Sequence, residues 1–186
     1  MAKLSLLGID GSPRFQGNTE ILLGLIIDKF KELDVNTEKV KLCKLSIGPC
    51  IECRKCLEMG ICCLDDDITS DVLPKLINAD IIIVASPVHF NNVTSYVKML
   101  MDRTWSIRGK LKNKIGGAVV VGRGYGLEQA LEAIRIWMLK HGMILGHPGL
   151  QAIGFEKGEV LQDKRALKDL EQFVKRIYEL AMLIKR

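Results

Sequence analysis

The chain has 186 residues, of which 48% are hydrophobic, 26% charged and 5% aromatic, and its formal net charge is +5. These values describe one globular domain with enough chain to bury a core, and they exclude disordered and collagen-like classes. No apolar run reaches the ~18 residues of a bilayer-spanning helix, and the N-terminal residues show no signal-peptide pattern. The sequence therefore predicts a cytoplasmic protein without membrane contact. The basic residues are dispersed, which disfavours nucleic-acid binding.

Apolar runs alternate with amphipathic helical patterns along the whole sequence. The predicted strands are residues 3–9, 40–45, 80–85, 115–121 and 143–153, the last interrupted near Pro148. The predicted helices are residues 18–33, 69–78, 93–105, 127–141 and 162–185. Strands that alternate with helices predict a single α/β domain, residues 1–186, in which a doubly wound five-stranded parallel sheet lies between two helical layers.

The first loop, residues 8–19, follows the first predicted strand and opens the first predicted helix. Free backbone N–H groups at the helix start, the hydroxyls of Ser12 and Thr19 and the amide of Asn18 predict an anion site that fits a phosphate. The loop lacks the Lys-Ser/Thr pair of a nucleoside-triphosphate loop, so a phosphate held there would anchor a cofactor. A plain turn capped by Asn18 remains the alternative.

Two further loops are predicted to line the same crevice. Residues 85–94 leave the third strand and residues 122–126 leave the fourth, and ligands of open α/β sheets bind outside the carboxyl ends of the strands. Tyr125 is a candidate for stacking on a planar ring. An ordinary flexible loop would carry the same glycines.

Short motifs stand at these strand ends. They are Gly11-Ser12-Pro13-Arg14 with Gly17-Asn18-Thr19, then Ser86-Pro87-Val88, then Asp102-Arg103 at the end of the following helix. Together they resemble the flavodoxin-like NAD(P)H-dependent FMN reductase superfamily over about residues 3–142. The resemblance implies a flavodoxin-like fold and non-covalently bound FMN.

The same resemblance implies a set of FMN contacts. The residues implied to hold the phosphate are Ser12, Arg14, Gly17, Asn18 and Thr19. Those implied to contact the isoalloxazine ring are Pro87, Val88, His89, Phe90, Asn91, Gly122, Gly124, Tyr125 and Gly126. His89 stands where relatives more often have a tyrosine. Asp102 and Arg103 are candidates to support the flavin edge, with a surface ion pair as the alternative.

The connection after the second predicted strand, residues 43–67, is much longer than the usual 2–6 residues. It contains all the cysteines of the chain, which are Cys43, Cys50, Cys53, Cys56, Cys62 and Cys63. Thiols concentrated in one segment favour a metal or redox site over structural disulfides. Cys43, close to the strand, is predicted to be a buried small hydrophobe.

The spacing C-x2-C-x2-C-x5-C from Cys50 to Cys62 places four thiols within a span of 13 residues. Such a run suits one [4Fe–4S] cluster. Structural zinc, which usually takes two separated cysteine pairs, a redox-active dithiol and a merely structural cysteine loop are alternatives.

This compact run, inserted after the second strand of an FMN-binding domain, is similar to that of the iron-sulfur flavoprotein family. The ligands implied by the resemblance are Cys50, Cys53, Cys56 and Cys62. Cys62 is favoured over the adjacent Cys63 because relatives commonly have Gly-x-Cys there, followed by an Asp-Asp pair, here Asp66-Asp67.

The resemblance implies an electron-transfer flavoprotein in which FMN and a [4Fe–4S] cluster exchange electrons. It also implies ferredoxin or a similar electron donor, a small-molecule acceptor, and a homodimer or homotetramer. An NAD(P)H-dependent FMN or quinone reductase without a cluster is the alternative, and a zinc-stapled adaptor is a third possibility.

Two tryptophans and two histidines complete the candidates. Trp105 and Trp137 fall on apolar faces of predicted helices, so they are predicted to lie in the core. His141 and His147 have no partner at ligand spacing, so both are predicted to be structural.

Overall fold

A computed structural model describes residues 3–185. Its strands are β1 (Ser5–Asp10), β2 (Asn36–Lys41), β3 (Ile81–Pro87), β4 (Ile115–Gly122), β5 (Ile144–Leu145) and β6 (Leu150–Ile153). Its α-helices are α1 (Asn18–Glu32), α2 (Cys56–Met59), α3 (Leu73–Asn78), α4 (Ser95–Arg103), α5 (Leu127–Lys140) and α6 (Lys164–Ile184). Within these residues no helix combines the length and the apolar composition that a bilayer crossing requires.

All paired strands run parallel, in the order β2-β1-β3-β4-β5, and β6 also pairs with β4. The first residues of β4 pair with β5 and its last residues with β6, so two short strands occupy the fifth position of the sheet. The predicted interruption near Pro148 is confirmed. Proline has no N–H to donate to a strand ladder. The following Gly149 has a φ of +115°, which residues other than glycine rarely adopt.

Apolar side chains fill both faces of the sheet. One core packs the sheet against α3, α4 and α5, and the other packs it against α1 and α6. Consecutive residues of β3 alternate between the two cores, as in a strand covered on both sides. Gly117 on β4 permits close packing of α6, because a Cβ there would lie 2.7 Å from the Phe173 ring. The predicted three-layer flavodoxin-like architecture is confirmed.

Two elements have boundaries that differ from the prediction by more than two residues. β2 spans Asn36–Lys41 and not residues 40–45, because it is an edge strand whose first residues are polar and mostly exposed. The apolar residues that follow it form a 3₁₀ turn at Leu42–Lys44. The predicted helix 69–78 begins as a π-helical turn at Ile68–Val72 before α3.

Candidate functional site

The loops after β1, β3 and β4 meet at a cavity of about 560 Å³ at the carboxyl edge of the sheet. The predicted FMN-binding residues that line it are Ser12, Arg14, Asn18, Thr19, Pro87, Val88, His89, Phe90, Gly122 and Tyr125. The other predicted residues, Gly17, Asn91, Gly124 and Gly126, belong to the same loops without lining the cavity. The fold thus brings together three segments that are far apart in sequence.

The start of α1 supplies an anion-binding surface. Gly17 precedes the helix, and no side chain caps its first N–H groups. Ser12 and Thr19 are each 2% exposed and lie on the cavity wall beside this helix end. Uncapped N–H groups, the positive end of the helix dipole and neighbouring hydroxyls together fit a phosphate.

The Asn18 amide makes contacts that the sequence did not predict. Its Nδ2 donates to the carbonyl of Glu156 at 2.8 Å, and its Oδ1 accepts from the N–H of Gly158 at 2.8 Å. The side chain therefore fixes the loop after β6 against α1. The backbone N–H of Asn18, at the start of the helix, stays available to an anion.

Beneath this loop lies a buried ion cluster of Asp10, Lys41 and Glu20. Asp10 is fully buried, and the Lys41 ammonium donates to Asp10 Oδ2 at 2.6 Å, Glu20 Oε2 at 3.0 Å and the Arg14 carbonyl at 2.9 Å. All three ammonium donors are thus used, and they connect β1, β2, α1 and the loop. The sequence pattern did not reveal this cluster, although Asp10 and Lys41 are register partners at the ends of adjacent strands.

In both Asp10 and Glu20, burial raises the pKa of the carboxyl group and ion pairing lowers it. Burial raises the pKa of Asp10 above its usual value despite the hydrogen bond from Lys41. Burial also acts to raise the pKa of Glu20, but hydrogen bonds from Lys41, Lys39 and the Gln16 N–H outweigh it and lower that pKa to about 2. Glu20 is therefore ionised throughout the physiological range.

A tight turn at His89–Asn92 forms the predicted ring side of the cavity. His89 and Asn92 exchange backbone hydrogen bonds of 2.8 and 3.0 Å, and Phe90 and Asn91 adopt φ values of +48° and +59°. Two consecutive left-handed residues characterise a type I′ turn, and phenylalanine is strained there. The turn leaves the Phe90 side chain fully exposed at the rim of the cavity.

Phe155, after β6, also lines this cavity and was missed by the sequence analysis. The Arg123 guanidinium lies 3.4 Å from its ring centroid, Arg14 lies 5.9 Å from it, and Arg14 donates to its carbonyl at 3.2 Å. Two guanidinium groups therefore interact with one aromatic ring beside the predicted phosphate site. The available signal was position, because Gly154-Phe155 follows the last strand at the same sheet edge.

The cysteines line a second, larger cavity of about 900 Å³, with α4 and α5 forming its other walls. The thiols on its lining are those of Cys50, Cys53, Cys56, Cys62 and Cys63. Five thiols on one cavity wall are the donor chemistry of an iron–sulfur cluster. Among residues 3–185, no three His, Cys, Asp or Glu side chains are already grouped around a single metal position.

The cysteine sulfurs differ in the groups that they contact. The Cys53 and Cys63 sulfurs lie 3.3 Å apart. A hydrogen bond from the Lys55 N–H and a second from the Cys63 thiol lower the pKa of Cys53, and the same contact raises the pKa of Cys63. Cys43 is only half-buried, less than predicted, and its sulfur lies 3.8 Å from the Pro13 carbonyl, outside the thiol cavity.

Arg103 lies at the cysteine segment, outside the lining of the predicted flavin cavity, so the structure favours the ion-pair alternative over support of the flavin edge. It forms a bidentate pair with Asp66 at 2.6 and 2.8 Å, and its Nε donates to Cys62 Sγ at 3.2 Å. Burial acts to raise the pKa of Asp66, but the hydrogen bonds from Arg103 and Thr69 outweigh it and hold that pKa below its usual value. The adjacent Asp102 points outward and pairs with Lys98, because neighbouring helix positions face different directions.

The tryptophan prediction is half right. Trp137 is buried and donates to Thr104 Oγ1 at 2.9 Å, which is also 2.9 Å from His141 Nε2. Trp105 is 51% exposed on the cavity wall, with the Arg108 guanidinium 5.0 Å from its ring centroid. Burial lowers the pKa of His141, so this histidine is neutral at physiological pH.

Comparison with known sequences decides the family. The profile of the NADPH-dependent FMN reductase family matches residues 4–156. An iron-sulfur flavoprotein of Methanocaldococcus jannaschii is 36% identical over 98% of this chain and 100% of its own length. One from Methanosarcina thermophila is 32% identical over 98% of each chain. The chain belongs to the iron-sulfur flavoproteins.

Solved structures similar to this iron-sulfur flavoprotein support the fold. RosB, solved with bound 8-demethyl-8-formylriboflavin-5'-phosphate, superimposes with a TM-score of 0.83 at 17% identity over 98% of this chain and 80% of its own. A flavodoxin from the domain Archaea gives a TM-score of 0.63 at 17% identity, covering 98% of this chain and all of that one. The resemblance predicted from the motifs is thus confirmed at the levels of family and fold.

Proposed function

We propose that this iron-sulfur flavoprotein transfers electrons between FMN bound in the 560 Å³ cavity and a [4Fe–4S] cluster bound in the 900 Å³ cavity. The support for this proposal is α4, which starts beside the first loop and ends on the wall of the cysteine cavity. At its start, the Thr94 hydroxyl caps the helix and donates to the Gly11 carbonyl in the first loop. At its end, Arg103 contacts the cysteine segment. The nine residues of α4 correspond to about 14 Å.

The FMN site would use the residues at the sheet edge. The N–H groups at the start of α1, with Ser12, Thr19 and Arg14, would hold the phosphate. The loops containing His89 and Tyr125 would enclose the ring. The Asp10–Lys41 pair would keep the phosphate loop in place, because Lys41 also holds the Arg14 carbonyl.

The cluster site would use Cys50, Cys53, Cys56 and Cys62 as ligands. When bound, a cluster exchanges single electrons and FMN exchanges one or two, so together they link one-electron donors to two-electron acceptors. The residues of the chain would fix the two positions and supply charge. The exposed Arg108 and Lys140 place positive charge on the rim of the thiol cavity.

The partners proposed here follow from that charge. A ferredoxin or similar acidic donor would be steered to the basic rim of the cysteine cavity. A small-molecule acceptor would reach the flavin through the open side of its cavity. The exposed side chains of Phe90 and Tyr125 suit burial against another subunit, and we propose a homodimer or homotetramer. A cytoplasmic location would keep the thiols reduced.

The experiment is a cofactor assay on protein purified without oxygen. We expect one FMN and about four iron and four sulfide ions per chain, and reduction of both centres by reduced ferredoxin. Protein that contains FMN without iron, and whose flavin is bleached rapidly by NADPH, would be the cluster-free reductase and would contradict the proposal. Colourless protein containing zinc would contradict it as well.

A further inference from the structure

Every donor of the Arg103 guanidinium has a protein acceptor. Besides the bonds to Asp66 and Cys62, Nη1 donates to the Gly48 carbonyl at 3.1 Å and Nη2 to Thr69 Oγ1 at 2.8 Å. Arginine has five N–H donors, so none is left over. The residue is 1% exposed, and a buried guanidinium with this many partners has one orientation.

These contacts lie at the two ends of the cysteine segment. Gly48 precedes Cys50, the first predicted cluster ligand, and Asp66 follows Cys62, the last one. The Gly48 N–H also donates to Asp66 at 3.3 Å. The Asp66 carboxylate and the Arg103 guanidinium thus hold the two ends of the cysteine segment together. Arg103 therefore fixes Cys62 relative to α4, while Cys50 and Cys53 remain exposed.

The contact with Cys62 is distinctive among the thiols. Within residues 3–185, the only side-chain N–H that donates a hydrogen bond to a cysteine sulfur is that of Arg103. Asp66 already balances the charge of Arg103. The N–H···S bond is therefore an addition to the ion pair, since the carboxylate occupies Nη1 and Nη2 while Nε points at the sulfur.

We propose that Arg103 is a positioning residue for the cluster, holding the Cys62 thiolate by an N–H···S hydrogen bond that raises the reduction potential of the cluster. This inference rests on the proposed function. Reduction adds one electron to the cluster and breaks no bond. A hydrogen-bond donor beside a ligand sulfur stabilises the more negative, reduced form, and such bonds tune cluster potentials.

The test compares Arg103→Lys with Arg108→Lys in anaerobically purified holoprotein. Both variants keep the positive charge, but Arg108 stacks on Trp105 and touches no sulfur. Redox titration followed by EPR would give the cluster potential, and the FMN potential in the same sample serves as an internal reference. For Arg103→Lys we expect the equilibrium constant for cluster reduction to fall at least tenfold. This corresponds to a cluster potential lower by about 59 mV for a one-electron step. Arg108→Lys should leave the cluster potential at its wild-type value.

Loss of bound FMN would reveal that the Arg103→Lys variant does not fold. A measurement on the unsubstituted protein then tests the inference. Wild-type protein labelled with ¹⁵N-arginine should show a nitrogen coupling to the reduced cluster in pulsed EPR. An unchanged cluster potential in folded Arg103→Lys, or no arginine coupling in wild type, would overturn the inference alone. Wild-type protein without iron would overturn the proposed function and the inference together.

Discussion

The Lys41 ammonium lies 2.6 Å from the Asp10 carboxylate, and the two side chains are 4% and 0% exposed. They are the last residues of β2 and β1 and stand side by side in the sheet. A charge pair removed from water is stable only while both members are present. This pair therefore makes the geometry of the phosphate loop depend on one lysine of a neighbouring strand.

Replacing Lys41 with methionine should strongly destabilise the protein. The substitution keeps the side-chain length and leaves Asp10 buried without its partner, which typically costs about 3–5 kcal/mol. Urea unfolding at pH 7 would measure the loss. The cost should shrink as the pH falls, because burial already raises the pKa of Asp10 and the unpaired acid can take up a proton.

Lys39→Met is the matched control for this substitution. Lys39 also pairs with Glu20, at 3.0 Å, but its side chain is 38% exposed. An exposed pair contributes about 0–1 kcal/mol, so this variant should stay close to wild type. Equal losses of stability for the two variants would show that burial of the Asp10–Lys41 pair is not what matters.

The Glu20 carboxylate predicts a loss of stability in acid. Its pKa is about 2 in the folded protein, against an ordinary value of 4.5. The folded state thus binds the proton more weakly, so the stabilisation is complete above pH 4.5 and is lost as the pH falls toward 2. Because Glu20 is partly exposed, we expect this loss to be about 1 kcal/mol.

Glu20→Gln should remove that part of the acid response. Unfolding free energies of the two proteins, measured from pH 6 to pH 3, should differ most at pH 6 and converge at the acid end. Taking the difference between the variant and wild type cancels the contribution of groups that do not interact with Glu20. Asp10 does interact with it, because the Glu20 charge helps to raise the pKa of Asp10. A difference that is constant across the range would contradict the assignment.

The sequence was sufficient for the fold and for the loops, because both depend on local patterns. Hydrophobic periodicity located β3 and α6, and the glycines and hydroxyls around Ser12 located the loop that precedes the uncapped start of α1. The sequence did not reveal what depends on pairing across the sheet or on the direction of one side chain. Arg103 and Asp102 are neighbours in sequence, yet one is buried at the cysteine segment and the other faces solvent.

Cys62 and the adjacent Cys63 should differ in their importance for the cluster. Cys62 is anchored to α4 through Arg103, whereas the sulfur of Cys63 lies 3.3 Å from that of the exposed Cys53. Cys62→Ser should therefore lose the cluster, and Cys63→Ser should keep iron and sulfide near the wild-type values. Both should retain FMN, since the flavin cavity contains no cysteine. The opposite pattern of iron loss would assign Cys63 as the fourth ligand.

Thr19→Val tests the phosphate site with a substitution of nearly equal volume. The variant loses a hydroxyl at the start of α1, where Thr19 lines the cavity. A hydrogen bond to a charged group contributes about 1.5–3 kcal/mol, so FMN affinity should fall about tenfold or more. Riboflavin has the same ring without a phosphate, and its affinity should not change. Flavin fluorescence titrations with both ligands would measure this, with Thr37→Val on β2 as the control. Equal losses for FMN and riboflavin would mean that Thr19 acts on the ring or on the fold, and the phosphate would have to be placed elsewhere.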